Sequence, residues 1–277
     1  MRKIAIYGKG GIGKSTTTAN LSAAMAEKGL KIVQIGCDPK HDSTRTLVGD
    51  FIPTVLDRWR MVGRKDTNIR REEVLFTGFG NVLCAEAGGP DPGVGCAGRG
   101  VIRTFEILTD LGIFAEDFDF AFFDVLGDVV CGGFAKPIQS GYAKEVYIVT
   151  SGEFMSVYAA NNIAGAIYNI GQTTAPQSRA ELGGIIGNLR GIENEEELLR
   201  QFASALHAEL IHCIPRDATI QSCERGAKTV IEGAPVSAVA AEYRILAEKI
   251  QWNRSLTLPT PMTFDGVVSL CREFDLV

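Results

Sequence analysis

Along the whole chain, short apolar runs alternate with longer amphipathic stretches. Residues 3–7, 31–36, 81–87, 119–125, 145–150, 182–188 and 209–215 are short, nearly continuous in apolar side chains, and bounded by turn formers. That is the pattern of strands buried on both faces. Between them, apolar positions recur at helical spacing over 15–28, which Gly29 ends, and near 99–110, 154–169, 193–207 and 235–250. Strands separated by helices predict the α/β class, with a mostly parallel sheet flanked by helices. In such sheets ligands bind at the carboxyl ends of the strands. The stretch 50–68 is polar and mixed, and reads as a surface excursion. With no linker, repeat or low-complexity segment, residues 1–277 are expected to form a single domain.

Composition narrows the function classes. The formal net charge is -5 and no long basic run occurs, so no nucleic-acid partner is expected. No apolar run approaches the ~18 residues of a membrane span, and no membrane partner is expected. The apolar run after Met1-Arg2-Lys3 is too short for a signal peptide and leads into a glycine loop. A cytoplasmic location is therefore expected. The seven cysteines are odd in number and widely spaced, with no C-x-x-C pair. Disulfides and a zinc ribbon are not expected.

The first strand is followed by Gly8-Lys9-Gly10-Gly11-Ile12-Gly13-Lys14-Ser15-Thr16. This fits the phosphate-binding loop G-x-x-x-x-G-K-[ST] in its required place between a strand and a helix. Backbone N–H groups and the helix N-terminus suit phosphate oxygens. Lys14 would neutralise the β and γ phosphates, and Ser15 would ligate Mg²⁺. An ordinary phosphate loop does not need Lys9. This extra lysine resembles the deviant Walker A group of dimeric P-loop NTPases, where it reaches the partner's nucleotide. By that resemblance, Lys9 implies a nucleotide-sandwich dimer.

Two further strands end in acids. Cys37-Asp38-Pro39-Lys40-His41-Asp42 places Asp38 and Asp42 in a loop that Pro39 forces to turn. Asp124 ends an apolar strand and suits a Walker B position, holding Mg²⁺ through water. Asp38 or Asp128 could orient the attacking water. Gly127 frees its loop to respond to the γ-phosphate. Cys96 and Cys131 both lie among glycines after strands. A bulky inorganic cluster needs such close backbone approach. One chain offers only two such cysteines, so a cluster with four thiolate ligands would need two chains. The other five cysteines read as buried small hydrophobes.

The strings GKGGIGKSTTT, GCDPK, GGPDPGVGCAGRGVI, DVLGDVVCGGFA and YAANNI closely resemble those of nitrogenase iron proteins, over residues 3 to about 250. The resemblance implies an ATP-dependent electron-transfer component, working as a homodimer with a larger nitrogenase-like catalytic component. It implies MgATP and one [4Fe-4S] cluster per homodimer, held by Cys96 and Cys131 of both subunits, with ferredoxin or flavodoxin as the electron source. Lys9, Lys14, Ser15, Asp38, Asp42, Asp124 and Asp128 match the family's nucleotide and switch positions. Arg99 matches an arginine of the docking face. Asn188 and the segment Pro215-Arg216-Asp217 match the nucleotide-base region.

There are departures. His41 stands where classical members have a small residue and resembles the dark-operative protochlorophyllide reductase branch, although the cysteine loop is of the nitrogenase type. Residues 50–60 also differ from the usual nitrogenase text, and the chain lacks a long acidic tail. These departures lean toward a nitrogenase-like reductase over a nitrogen-fixing one. Methylthio-alkane reductase and the reductive cyclase of nickel tetrapyrrole synthesis are candidate partners. Two other classes compete. An Fe–S carrier ATPase would usually show a C-x-x-C near its C-terminus. A positioning ATPase would show a C-terminal membrane helix or basic patch, whereas 262–277 is short and not basic.

Overall fold

The structure, a computed structural model, describes all residues except 66–67, 90–96, 127–135, 177 and 277. Eight strands form one sheet: β1 (Arg2–Tyr7), β2 (Ile32–Gly36), β3 (Phe76–Thr77), β4 (Leu83–Glu86), β5 (Phe120–Asp124), β6 (Glu145–Thr150), β7 (Glu181–Asn188) and β8 (Leu210–Ile214). Their order is β3-β4-β2-β5-β1-β6-β7-β8. Every pairing is parallel except that of the two-residue edge strand β3 with β4. The seven strands read from the apolar pattern are therefore present, and β3 is the one too short to leave a signal.

Alternation within each strand feeds two cores, one on each face of the sheet. Ile4 and Ile6 of β1 join Ile32, Phe122 and Tyr147 on one face. Ala5 and Tyr7 join Val33, Phe123 and Ile148 on the other. The first core is covered by α1 (Lys14–Glu27) and, from the C-terminal third, by the α-helix 238–252 packed against it. The second is covered by the α-helices 97–110, 154–173 and 195–205.

In chain order the helices after α1 are α2 (Arg45–Val48), α3 (Val55–Met61), α4 (Ala97–Asp110), α5 (Lys136–Gln139), α6 (Phe154–Thr173), α7 (Glu195–Ala205), α8 (Ala218–Arg225), α9 (Val230–Gly233), α10 (Ala238–Trp252) and α11 (Phe264–Arg272). The stretch 50–68 is more than a surface excursion. Thr54 caps α3 by accepting from the Asp57 N–H at 3.0 Å, and Val55 and Leu56 enter the core. The helix is short and carries Asp57, Arg58 and Arg60, and only Val55 and Leu56 are buried, which leaves too little periodicity to read. The end of the chain is also folded in: α11 buries Val267, Leu270 and Cys271 and packs on α6 and α7. Among the described residues, no helix is long and apolar enough to cross a membrane.

Candidate functional site

Residues 8–13 link β1 to α1 at the carboxyl edge of the sheet. Helix α1 starts with no side-chain cap and no acid in its first turn. By contrast α8, α9, α10 and α11 each begin with a capping side chain: Asp217, Thr229, Ser237 and Thr263. The first N–H groups of α1 are thus left for an anion. Gly13 sits at φ +99°, and a Cβ there would come within 2.4 Å of Asn188 Nδ2. Asn188, the last residue of β7, donates from Nδ2 to the Ile12 carbonyl at 2.6 Å. Arg190 donates to the carbonyls of Gly11 and Ile12, each at 3.2 Å. Two side chains from the end of β7 thereby hold the loop's carbonyls. Lys14 is 8% exposed, and its Nζ donates to the Lys9 carbonyl at 3.1 Å.

Asp124 ends β5, beside β1 in the sheet, with Ile6 and Asp124 in register. It is buried, and neither carboxyl oxygen has a hydrogen-bond partner within standard geometry. Burial pushes its pKa up, while the Lys14 charge and the nearby hydroxyls of Ser15 and Ser43 pull it back toward the ionised form. A buried acceptor left unsatisfied costs about 1–3 kcal/mol. A carboxylate and a serine hydroxyl are the oxygen donors that a phosphate-bound Mg²⁺ with its water shell uses, and a lysine beside them suits the phosphate itself. The residues present fit MgATP.

Asp38 closes the turn around Pro39: its Oδ1 accepts from the Lys40 N–H at 2.9 Å, and Lys40 Nζ is 3.7 Å from Oδ2. Asp42 is exposed and, with Ser15, Thr16 and Ser43, lines a cavity of about 270 Å³. An adjoining cavity of about 250 Å³ is lined by Gly13, Thr16, Asn188, Arg216 and Asp217. Pro215 immediately precedes the last two and is exposed. The sequence reading missed α8, which brings Gln221 and Glu224 to this second cavity. Glu224 accepts from the Thr16 hydroxyl, and its carbonyl accepts from Arg45 at 3.0 Å. The signal was present: Asp217-Ala218-Thr219 is an N-cap, with the Asp217 carboxylate accepting from the Thr219 N–H at 2.7 Å. The hydroxyl and the backbone N–H of Thr219 hold the Asp217 carboxyl below its usual range.

Cys96, Cys131, Gly127 and Asp128 lie outside the described residues. The segments that bear them leave the carboxyl ends of β4 and β5, the two strands that flank β2. Arg99 is exposed in the first turn of α4. The other five cysteines are free, and all but half-buried Cys213 are buried. Burial pushes the thiols of Cys37, Cys84 and Cys213 up, the last to about 12. Among the described residues, no group of three or more His, Cys, Asp or Glu side chains could hold a metal. Two of the sequence departures meet in space. His41 is at φ 46°, and its ring is 5.7 Å from that of Phe51. The Arg45 guanidinium also lies over the Phe51 ring, 5.3 Å from its centroid.

A mostly parallel sheet with this loop between its central strand and a helix, and a buried acid ending the adjoining strand, defines a P-loop NTPase. Solved structures agree on the fold. The septum site-determining protein MinD of Pyrococcus horikoshii OT3, complexed with Mg-ADP, matches with a TM-score of 0.67 at 22% identity, covering 90% of this chain and 95% of that one. A ParA family ATPase from Chlorobium tepidum TLS matches with a TM-score of 0.65 at 16% identity, covering 89% and 97%. The profile of the 4Fe-4S iron sulfur cluster binding proteins, NifH/frxC family, matches residues 2–277, and the chain belongs to this family, that of the nitrogenase iron proteins. The nitrogenase iron protein of Methanospirillum hungatei JF-1 is 52% identical over 275 residues, 99% of this chain and 96% of the relative. Nitrogenase iron protein 2 of Methanothermobacter thermautotrophicus Delta H is 50% identical over 274 residues, 99% and 98% of the two chains.

Proposed function

We propose that this chain is the ATP-dependent reductase component of a nitrogenase-type system, acting in the cytoplasm as a homodimer of single-domain subunits. Each subunit binds one MgATP. Cys96 and Cys131 of both subunits hold one [4Fe-4S] cluster between them. Ferredoxin or flavodoxin supplies electrons, and a larger catalytic component receives them. When bound, the cluster supplies a one-electron redox couple. The observation that carries the nucleotide half of this reading is the buried Asp124 carboxylate beside Lys14, Ser15 and Ser43. The cluster half rests on membership of the family.

The residues divide the work. The N–H groups of 8–16 and the Lys14 ammonium bind the phosphates, and Ser15 and Asp124 hold Mg²⁺. Lys9 reaches the partner's nucleotide. Asp38 or Asp128 orients the attacking water, and Asp42 responds to the γ-phosphate with them. Asn188 and Pro215-Arg216-Asp217 border the base, and Arg99 faces the catalytic component. Asp128 sits three residues before Cys131, so the phosphate sensor and a cluster ligand share one segment. Asp128→Glu is therefore expected to hydrolyse ATP without matching electron transfer. Unchanged coupling in that variant, measured as phosphate released per electron delivered, would refute the assignment.

The relatives named nitrogenase iron protein favour a nitrogenase as the partner. A second reading, methylthio-alkane reductase or another nitrogenase-like enzyme, rests on the contact between His41 and Phe51. The test is an anaerobic pull-down of tagged protein with MgADP and aluminium fluoride, which mimics the hydrolysis transition state. Recovery of a nitrogenase-type catalytic component supports the electron-donor role and decides between the partners. Recovery of diverse apo-Fe–S proteins would replace it with the cluster-carrier reading.

A further inference from the structure

Glu86 ends β4 and is the last sheet residue before the loop that bears Cys96. It is fully buried. Its Oε1 accepts two hydrogen bonds from Thr44, one from the backbone N–H and one from the hydroxyl, both at 2.7 Å. Its Oε2 has no hydrogen-bond partner. Glu86, Gly36 and Asp124 stand side by side across three strands, in register. The glycine between the two acids is needed: a Cβ at Gly36 would come within 1.9 Å of Glu86 Oε2. Gln34 of β2 grips the same segment, donating to the carbonyl and the hydroxyl of Ser43 at 3.0 Å each. Ser43 and Thr44 directly follow Asp42 on the rim of the nucleotide cavity.

The residues after Glu86 rest mainly on 54–60, and Gly89 also meets Pro39 of the 38–46 segment. The Ala87 carbonyl accepts from the Leu56 N–H at 3.2 Å. Gly88 packs on Thr54, and Gly89 on Pro39, so closely that a Cβ at Gly89 would come within 2.5 Å of Pro39 Cβ. Arg60 donates to the Gly89 carbonyl. A carboxylate buried for packing alone would be better replaced by an apolar side chain. This one instead makes two hydrogen bonds to a single residue beside the nucleotide site. Any shift of Thr44 must either move Glu86 or leave it without either bond.

We propose that Glu86 is a positioning residue that ties segment 38–46 to the loop bearing Cys96, giving that loop its own link to the nucleotide site beside the one that runs from Asp124 to Cys131. The inference rests on the nucleotide-switch reading above. The test is hydrogen exchange on the anaerobic holo dimer, with and without the Mg²⁺ complex of a non-hydrolysable ATP analogue, in peptides covering 87–96 and 124–135. The analogue's Kd is measured alongside. Glu86→Met, which removes the acceptor, is expected to abolish the analogue-dependent change in 87–96 while keeping that in 124–135 and the Kd. Glu86→Gln keeps the acceptor and is expected to retain both changes. Thr44→Val removes one donor from the opposite side and is expected to reduce the 87–96 change even if the Met variant does not fold. A full response of 87–96 in the Met and Val variants overturns the proposal. So does loss of both segments' responses together, which would make Glu86 a structural residue only. A wild-type dimer whose 124–135 segment ignores a bound analogue overturns the parent reading instead.

Discussion

Two carboxyl groups stand on one face of the sheet with Gly36 between them, and burial acts on both. Burial pushes Glu86 up to about 8, with the Thr44 donors opposing and the charges of Asp124 and Asp42 adding to it. Its ordinary value is 4.5, so the folded protein holds a proton that the unfolded chain releases between those pH values. Glu86 therefore favours the folded state most below its ordinary value, and that contribution is lost as pH rises through about 8. Glu86→Gln carries no such proton. Its denaturation midpoint is expected to gain on the wild type as pH rises from about 4.5 to about 8, and parallel curves would remove the assignment. Lys14→Gln is expected to cut ATP hydrolysis by about 10²–10³-fold with the circular dichroism spectrum unchanged, because it removes a charge aimed at the transferring phosphoryl group. Phosphate release measures it, and a drop of less than about tenfold would mean another cation does that work. The phosphate loop was legible because its chemistry needs neighbouring residues. Glu86 was not, because its significance comes from Thr44, 42 positions away in the chain. Arg190 was missed for the same reason, since its partners Gly11 and Ile12 are nearly 180 positions distant.

Among the elements, the central strands were legible because burial on both faces makes them apolar throughout, as in Phe120–Asp124 and Glu145–Thr150. The helices that escaped reading are short, and local caps define them more than periodicity does. Helix α8 is the one that bears on function. It carries Gln221 and Glu224 to the nucleotide cavity from a start fixed by Asp217. Asp217→Ala is expected to lower stability by about 1 kcal/mol, the usual worth of an N-cap. It should also raise the KM for ATP more than it lowers kcat, because Asp217 lines the cavity proposed for the base. Chemical denaturation and steady-state hydrolysis read the two effects, and a change in kcat alone would place Asp217 in the chemistry. Asn161, in the YAANNI string, serves the fold. Its side chain donates to the Met262 carbonyl at 2.9 Å and accepts from the Met262 N–H at 2.8 Å. It thereby pins the strap that leads to α11.

At the scale of the whole molecule, the alternating pattern of strands and helices was enough to give the class of fold. It could not give strand order, which depends on pairings between distant segments. Nor could it give the neighbourhood of His41 and Phe51. The anaerobically purified protein is expected to be brown, with about four iron atoms per dimer, and Cys96→Ala or Cys131→Ala is expected to abolish the colour. Iron at about four per monomer would contradict a shared cluster. The Arg2 guanidinium ties the start of the chain to its end: it pairs with Glu145 at 2.5 Å and donates to the carbonyls of Ile250, Gln251 and Asn253 at 2.9, 2.8 and 3.2 Å. Strand β1 itself lies inside the sheet, between β5 and β6, with Ile6 in register with Asp124 and with Tyr147. During translation, β1 is thus among the strands that wait longest for a neighbour. At ~5–20 residues per second, Ile4-Ala5-Ile6-Tyr7 goes about 6–24 s before β5 emerges. For that interval a bare, aggregation-prone apolar strand and an unformed phosphate loop hang from the nascent chain. A chaperone that holds the emerging β1 segment should therefore affect the yield of this protein more than one that acts after release.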